Sequence, residues 1–261
     1  AEIQEKIKSG DRIHSLTIGD FNPKLFPIPS KLRDLIVEEH EDDQTNYPPA
    51  DGVLELRHAV RMFAEEKQNL QYNPQEIMIA AGARPVIYSI FKALVNPNDN
   101  VIFPVPSWNN NHYTYLNGAT PIIIQTSEKN NFMPSVQDIE PHLKDAHFLA
   151  LCSPQNPTGT VFTKKGLEEI CDAVIEENRR RSQFDKPLYV MYDQIYSELT
   201  YGVDHVNPVT LRPEMREYTI FVDGISKNLS ATGVRVGWSM GPKPIIDKMK
   251  AILTHVGAWA P

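Results

Sequence analysis

The amino-acid sequence predicts an α/β protein, a three-layer αβα sandwich built around a mostly parallel β-sheet. From residue 76 onward, short apolar runs alternate with segments whose apolar residues recur with helical periodicity. Turn residues such as those of 96–99 separate these segments. Strands that alternate with helices favour βαβ units, which place helices on both faces of a parallel sheet.

The individual elements follow from the same patterns. Before residue 76 the chain is predicted to be loops and helices, with one helix over 29–40 and a longer one over 52–69. The second helix has Leu56, Val60 and Phe63 on one face. The later predicted strands are 76–81, 101–105, 121–125, 147–152, 188–192, 219–222 and 236–240, and the later predicted helices are 84–95, 164–180 and 245–254.

Charge and composition argue against several classes of function. The 261 residues carry a formal net charge of −7, whereas proteins that bind a nucleic-acid backbone usually present a basic face. No apolar stretch is long enough to cross a bilayer, and two cysteines are too few for a disulfide framework. We therefore expect a soluble, cytoplasmic protein with no nucleic-acid partner, no membrane segment and no metal site.

Most of the chemical information lies in residues 224–237, which follow the apolar run 218–222. Lys227 comes just beyond a strand, and Arg235 follows eight residues later, which suits a lysine that reacts with a carbonyl beside a bound anion. The segment resembles the cofactor-lysine signature of the class I/II aminotransferases, aspartate-aminotransferase-like enzymes that carry pyridoxal 5′-phosphate (PLP). The resemblance implies that Lys227 forms a Schiff base with PLP and that Ser226 and Arg235 contact the cofactor.

Two further motifs lie at predicted strand ends, where ligands of parallel sheets collect. Gly82 ends a strand and starts a helix, and the free amides at a helix N-terminus bind phosphate well. The resemblance assigns the phosphate of PLP to the amides around Ala83 and Arg84. It also implies that Trp108, just after the strand 101–105, stacks on one face of the cofactor ring. The alternative interpretations are a plain strand-to-helix turn for the Gly82 motif and a rim tryptophan that packs on its own domain for Trp108.

Polar side chains follow two more strands. Asn156 lies in a loop that prolines and a glycine make rigid, and Asp193 comes directly after the predicted strand 188–192. In the family, residues in the places of Asn156 and Tyr196 bind the phenolic oxygen of PLP, and that in the place of Asp193 pairs with the pyridine nitrogen. The resemblance thus makes Lys227, Asp193 and Tyr196 the catalytic residues. An ordinary turn and a capping aspartate are the alternative interpretations.

Two upstream segments extend the resemblance. The loop 18–20, with Gly19, resembles the family's loop beside the substrate carboxylate. Tyr47 lies in a segment whose tyrosine reaches the cofactor phosphate of the partner subunit, which implies a homodimer with Tyr47 acting in trans. The resemblance further implies that residues 1–45 form an N-terminal segment of a small domain or arm, and that 46–261 form the large PLP-binding domain. Family members continue into a C-terminal small domain, which we expect to be missing from this chain.

The motifs together predict a PLP-dependent aminotransferase (transaminase) that moves an amino group between an L-amino acid and a 2-oxo acid. Lys227 would act as general base and then as general acid. Two alternatives stay open. The first is another enzyme of the same fold, such as a carbon–sulfur β-lyase, a decarboxylase or an aminocyclopropane-carboxylate-synthase-like lyase. The second is a non-catalytic PLP-binding sensor.

Overall fold

The structure, a computed structural model, describes residues 2–10, 12–13 and 19–261. Contacts within the chain divide it into two units, Ala1–Gln44 and Thr45–Pro261. The first unit holds helices α1 (Glu2–Lys8) and α2 (Ser30–Glu41). The division lies next to the expected boundary after residue 45, but the assignment of the first unit to a small domain or arm stays a prediction.

In the described part of the chain, the second unit is built on one seven-stranded sheet with the order β1-β7-β6-β5-β4-β2-β3. The strands are β1 (Ile77–Ala80), β2 (Asn100–Val105), β3 (Thr120–Gln125), β4 (Ala146–Cys152), β5 (Tyr189–Asp193), β6 (Thr219–Gly224) and β7 (Gly237–Met240). β7 runs antiparallel to both of its neighbours, and the other neighbouring strands are parallel. The predicted mostly parallel sheet is confirmed, with each strand end within two residues of its predicted position.

The helices of the second unit are α3 (Leu54–Gln68), α4 (Ala83–Leu94), α5 (Asn110–Leu116), α6 (Val136–Leu143), α7 (Lys164–Arg180), α8 (Pro208–Leu211), α9 (Ile225–Asn228) and α10 (Lys243–Val256). The four long helices α3, α4, α7 and α10 were predicted. The short helices α5, α6, α8 and α9 were not, because one or two turns are too few to show a 3.6-residue period.

Helices cover both faces of the sheet, which makes the second unit a three-layer αβα sandwich. On one face α3 and α7 contribute buried side chains such as Leu167, and on the other α4 and α10 contribute Ile90 and Met249. Successive residues of a strand point to opposite faces, so Phe221 of β6 belongs to the first core and Ile220 to the second. Truncating a buried aromatic of this kind costs about 3–5 kcal/mol. The sheet is therefore a stable frame for the loops at its ends.

One edge of the sheet gathers the strand ends that carry the predicted site. The carboxyl ends of β1, β4, β5 and β6 lie there, together with the amino end of β7. The pairs at this edge are Cys152 with Asp193, Asp193 with Val222, Gly224 with Gly237, and Gly237 with Ala80. Because β7 is antiparallel, the segment that precedes it returns to the same edge and brings Arg235 with it.

Candidate active site

Lys227 lies in α9, the single helical turn that follows β6 directly. Its Nζ atom is 5.8 Å from the centre of the Tyr196 ring. Tyr196 in turn accepts a hydrogen bond at its hydroxyl from Asn156 Nδ2, at 2.9 Å. Three side chains that follow three different strands thus stand side by side at the sheet edge, as the sequence predicts. Burial raises the pKa of Tyr196 to about 12, so its phenol is neutral and keeps a proton to donate.

Asp193 ends β5 and is 9% exposed. Its Oδ1 atom accepts a hydrogen bond from the Ile195 amide at 3.1 Å. Burial raises the pKa of this carboxyl to about 6, because the apolar surroundings disfavour the charged form more than the single amide favours it. A cation bound against Asp193 would lower this pKa and stabilise the carboxylate, so the site is electrostatically suited to a positively charged group.

The turn between β1 and α4 lies at the same end of the sheet. Gly82 has a φ of +91°, a conformation that side chains resist, and a Cβ on it would overlap the Arg235 guanidinium. A Cβ on Gly237, the first residue of β7, would come within 2.5 Å of the Gly82 carbonyl carbon and 2.6 Å of the Ala83 nitrogen. Glycine at 82 lets the Arg235 guanidinium lie against the turn, and glycine at 237 lets β7 lie against the same turn. A Cβ at either position would prevent this close approach.

Arg235 is held in place at this turn by two backbone carbonyls. Its Nη2 donates to the Ala81 carbonyl at 3.1 Å, and its Nη1 donates to the Thr232 carbonyl at 2.8 Å. The helix α4 begins at Ala83 without a side-chain cap. Its first amides and the guanidinium together present hydrogen-bond donors and positive charge, which is the chemistry of an anion site.

Trp108 and Arg84 lie on the rim beside this turn. The Arg84 Cζ atom is 5.5 Å from the centre of the Trp108 ring, a cation–π distance, and Trp108 is 44% exposed. Ser226, next to Lys227, is buried. The structure thus brings the predicted residues of β1, β5, β6 and their loops to one edge.

Two predicted residues are not joined to this group by the described contacts. Tyr47 is 87% exposed, and its ring meets the edge of Trp259 with 5.2 Å between ring centres. Gly19 belongs to the first unit, and residue 18 of its loop lies outside the described residues. Their roles stay predictions.

Sequence reasoning missed a group of buried polar residues next to the site. Asp223 is 1% exposed, and it is hydrogen-bonded to Gln68, which lies 155 positions earlier in the chain. A signal for Asp223 was present, since it is an acidic residue at the end of an otherwise apolar strand, where charges are rarely buried. No signal in the sequence connects it with Gln68, because that contact depends on how α3 packs on the sheet.

No group of three or more His, Cys, Asp or Glu side chains among the described residues is placed to hold a metal ion. None of the helices that these residues form is long and apolar enough to cross a lipid bilayer.

Comparisons with known proteins agree with this geometry. Residues 15–257 match the sequence profile of the family described as aminotransferase class I and II. The chain is 28% identical over 258 residues to an aspartate aminotransferase of Bacillus subtilis, covering 98% of this chain and 63% of that protein. It is 33% identical over 238 residues to a bifunctional aspartate aminotransferase and glutamate/aspartate-prephenate aminotransferase of Petunia hybrida, covering 90% and 48% respectively.

Solved structures give the same result. The chain superposes on the aspartate aminotransferase from Thermus thermophilus with maleate at a TM-score of 0.90 and 25% identity, covering 99% of this chain and 64% of that one. The chain thus spans less than two thirds of the length of the relatives named here. The sequence profile, the fold and the order of the site residues lead to one conclusion: the chain belongs to the class I and II aminotransferase family.

Proposed function

We propose that the chain is the cofactor-binding part of a PLP-dependent aminotransferase, which exchanges an amino group between an L-amino acid and a 2-oxo acid. The observation that carries this proposal is the position of Lys227. Its amine lies beside the ring of Tyr196, whose hydroxyl accepts a hydrogen bond from Asn156. The buried carboxyl of Asp193 and the guanidinium of Arg235 lie at the same edge of the sheet.

The residues present fit each part of PLP. The phosphate fits the first amides of α4 and the Arg235 guanidinium, at a turn where a Cβ on Gly82 or Gly237 would take up the space. The pyridine nitrogen fits Asp193, because a protonated nitrogen would stabilise the ionised form of this carboxyl, which burial disfavours. We propose that the phenolic oxygen takes hydrogen bonds from Asn156 and Tyr196, and that Trp108 covers the ring.

When bound, PLP supplies an aldehyde that condenses with amines and a ring that withdraws electrons. The protein positions the reacting groups and moves protons. Lys227 Nζ takes the proton from the Cα atom of the amino acid and, as an acid, gives a proton back. Asp193 stays ionised against the ring nitrogen. The atoms of the overall reaction balance. The amino acid exchanges its amino group for a carbonyl oxygen and becomes a 2-oxo acid, while the 2-oxo acid makes the reverse exchange.

We further propose aspartate as an amino donor and a homodimer as the working form. The names of the relatives support the first, since several are aspartate aminotransferases and one was crystallised with maleate, a dicarboxylate. The exposure of Tyr47 supports the second, because most of its ring faces solvent, where a neighbouring subunit can cover it. In that dimer Tyr47 contacts the cofactor phosphate in trans, and Gly19 lies beside the substrate carboxylate.

The first test is whether Lys227 is the lysine that PLP modifies. The protein is mixed with PLP, reduced with borohydride, digested and analysed by mass spectrometry. We expect a pyridoxyl mass on the peptide that contains Lys227 and none after Lys227→Ala, with activity toward aspartate and 2-oxoglutarate lowered by about 10²–10⁴-fold or more. Lys243→Ala is the matched control, because Lys243 is a surface lysine paired with Asp247. Equal labelling of the Lys227→Ala protein would rule out the proposal.

A further inference from the structure

A row of buried polar side chains lies directly behind the candidate site and takes no part in the reaction proposed above. At its centre is Asp223, the penultimate residue of β6, which is 1% exposed. Its Oδ1 atom accepts a hydrogen bond from the Gly224 amide at 2.7 Å, and its Oδ2 atom accepts one from Gln68 Nε2 at 2.8 Å. Gln68, at the end of α3, is also buried.

The row continues from Gln68 to two more side chains. Gln194 Nε2 donates to Gln68 Oε1 at 2.8 Å, and His205 Nε2 lies 3.2 Å from Gln194 Oε1. Since an amide oxygen only accepts, His205 must carry its proton on Nε2. Every N–H donor in the row therefore points toward Asp223. When its carboxyl is ionised, Asp223 can accept hydrogen bonds but cannot donate one. We call Asp223, Gln68, Gln194 and His205 the polar row.

The polar row is attached to two of the elements that carry the proposed chemistry. Asp223 holds the amide of Gly224, the residue that precedes the one-turn helix with Lys227. Gln194 is the neighbour of Asp193 in the chain. The junction at Gly224 is crowded, since a Cβ there would come within 2.8 Å of the Val236 carbonyl oxygen. The hydrogen bond from the Gly224 amide to Asp223 thus holds a junction whose backbone has little room to move.

A carboxyl in this position carries an energetic penalty. Burial, with a smaller contribution from the nearby Asp193, raises the pKa of Asp223 to about 7, although the hydrogen bonds from Gln68 and Gly224 lower it. An asparagine would accept from Gly224 without that penalty. It would, however, place an NH₂ group opposite Gln68 Nε2 and leave two donors facing each other. The direction of the whole row therefore depends on a carboxylate at 223.

We propose that Asp223 is a positioning residue for the transamination proposed above: it fixes the junction that presents Lys227 and, through Gln68 and Gln194, the start of the loop after Asp193. This inference rests on that proposed function. The residue acts through Gly224 and through the polar row and does not itself touch the substrate. Its contribution is to the orientation of Lys227 and Asp193, where small displacements of a reacting group lower the rate strongly.

The test is a charge relocation inside the polar row, in the complete natural polypeptide loaded with PLP. Asp223→Asn removes the carboxylate, and the double variant Asp223→Asn with Gln68→Glu returns it one position along the row. In the double variant the new carboxylate accepts from both the new amide at 223 and Gln194. We expect Asp223→Asn to lower kcat about tenfold with little change in KM. The double variant should recover to within about threefold of wild type.

A second readout separates positioning from a merely structural role. The visible absorbance of the lysine-bound cofactor changes with pH as the nitrogen of Lys227 titrates, and its midpoint reports the surroundings of that nitrogen. We expect the midpoint to move by about half a pH unit or more in Asp223→Asn and to return in the double variant. Ser239→Ala is the control, because Ser239 is buried and bonded to the Phe221 carbonyl on β6, outside the polar row. It should lower thermal stability without moving the midpoint.

The outcomes distinguish this inference from the proposed function. A wild-type protein that takes up no PLP contradicts the proposed function itself. A wild-type protein that binds PLP and turns over, with Asp223→Asn unchanged in both kcat and midpoint, overturns only the role of Asp223. If Asp223→Asn does not fold, Gln68→Met removes the same hydrogen bond at nearly the same volume. An unmoved midpoint in that variant also overturns the inference.

Discussion

The carboxyl groups of Asp193 and Asp223 are buried at the ends of adjacent strands, and burial raises the pKa of each, to about 6 and about 7. Unfolding exposes both groups and returns the pKa of each to near its ordinary value of 3.8. Between the two values the folded chain holds protons that the unfolded chain has lost, so the free energy of unfolding falls as the pH rises. His205 acts with the opposite sign, because burial lowers its pKa to about 4 and the unfolded chain then binds the extra proton.

A prediction follows for the cofactor-free protein. Relative to wild type, Asp193→Asn should gain stability as the pH rises from about 4 to about 6.5, by about 2 kcal/mol. Each unit of pKa shift corresponds to roughly 1.4 kcal/mol, and the unfolded carboxyl is already about half ionised at the lower end of this range. Urea unfolding at pH 4 and pH 6.5 measures the difference, and a constant offset between the two proteins at both pH values would contradict it. His205→Asn should show a relative change of opposite sign over the same range.

Whether a residue could be predicted from the sequence depended on what fixes its position. Lys227, Asp193 and Asn156 each follow an apolar run that forms a strand, so the topology alone brings them to one edge. Gln68 and His205 come from α3 and from a loop, and they meet Asp223 only through packing between elements distant in the chain. Local patterns carry no information about such contacts.

Among the elements, the strands were predictable because each is a continuous apolar run between turn residues. The direction of β7 was not predictable, because all four of its residues are buried. A short buried strand has the same sequence pattern whether it runs parallel or antiparallel to its neighbours. That direction matters for function, because an antiparallel β7 brings Arg235 to the carboxyl ends of β1 and β6. It also places Gly237 against the turn at Gly82.

The contact of β7 with the β1–α4 turn gives a prediction at the scale of elements. Gly237→Ala forces a methyl group against the Gly82 carbonyl carbon and the Ala83 nitrogen, at 2.5 and 2.6 Å, so the turn must move away from β7. We expect a loss of about 1–3 kcal/mol in the free energy of unfolding. PLP affinity should fall about tenfold or more, because the phosphate amides move with the turn.

Gly233→Ala is the matched control for that change. It adds the same methyl group to a glycine in the same segment, where nothing lies within 4 Å of the added atom. Urea unfolding and a fluorescence titration with PLP measure the two effects. If the two variants bound PLP equally well, the close approach at Gly237 would have no part in holding the phosphate.

At the scale of the whole molecule, the fold was predictable because the alternation of strands and helices runs through residues 76–256 without interruption. The assembly was predicted from the family resemblance alone, since the segment around Tyr47 carries no sign of its own of what this residue contacts, and the homodimer stays a prediction. A tyrosine ring that is 87% exposed, with one edge on Trp259, is poorly explained by the second unit alone. A second subunit over this ring would bury it and complete the phosphate site.

The proposed dimer can be tested by complementation between two damaged subunits. Lys227→Ala lacks the reacting amine, and Tyr47→Phe lacks the hydroxyl that would reach the phosphate. If Tyr47 acts in trans, a hybrid dimer contains one site with both the intact Lys227 and the intact Tyr47. The two polypeptides, expressed together with different affinity tags, are purified as hybrids and compared with each parent.

The expected result is that each hybrid dimer shows about half the activity of a wild-type dimer, because one of its two symmetry-related sites is complete. Both parent dimers should be far less active. If Tyr47 instead serves the site of its own subunit, the subunit with Lys227 still lacks the hydroxyl. The hybrid then shows at most the weak activity of Tyr47→Phe, which would exclude the arrangement in trans while leaving the assignment of Lys227 intact.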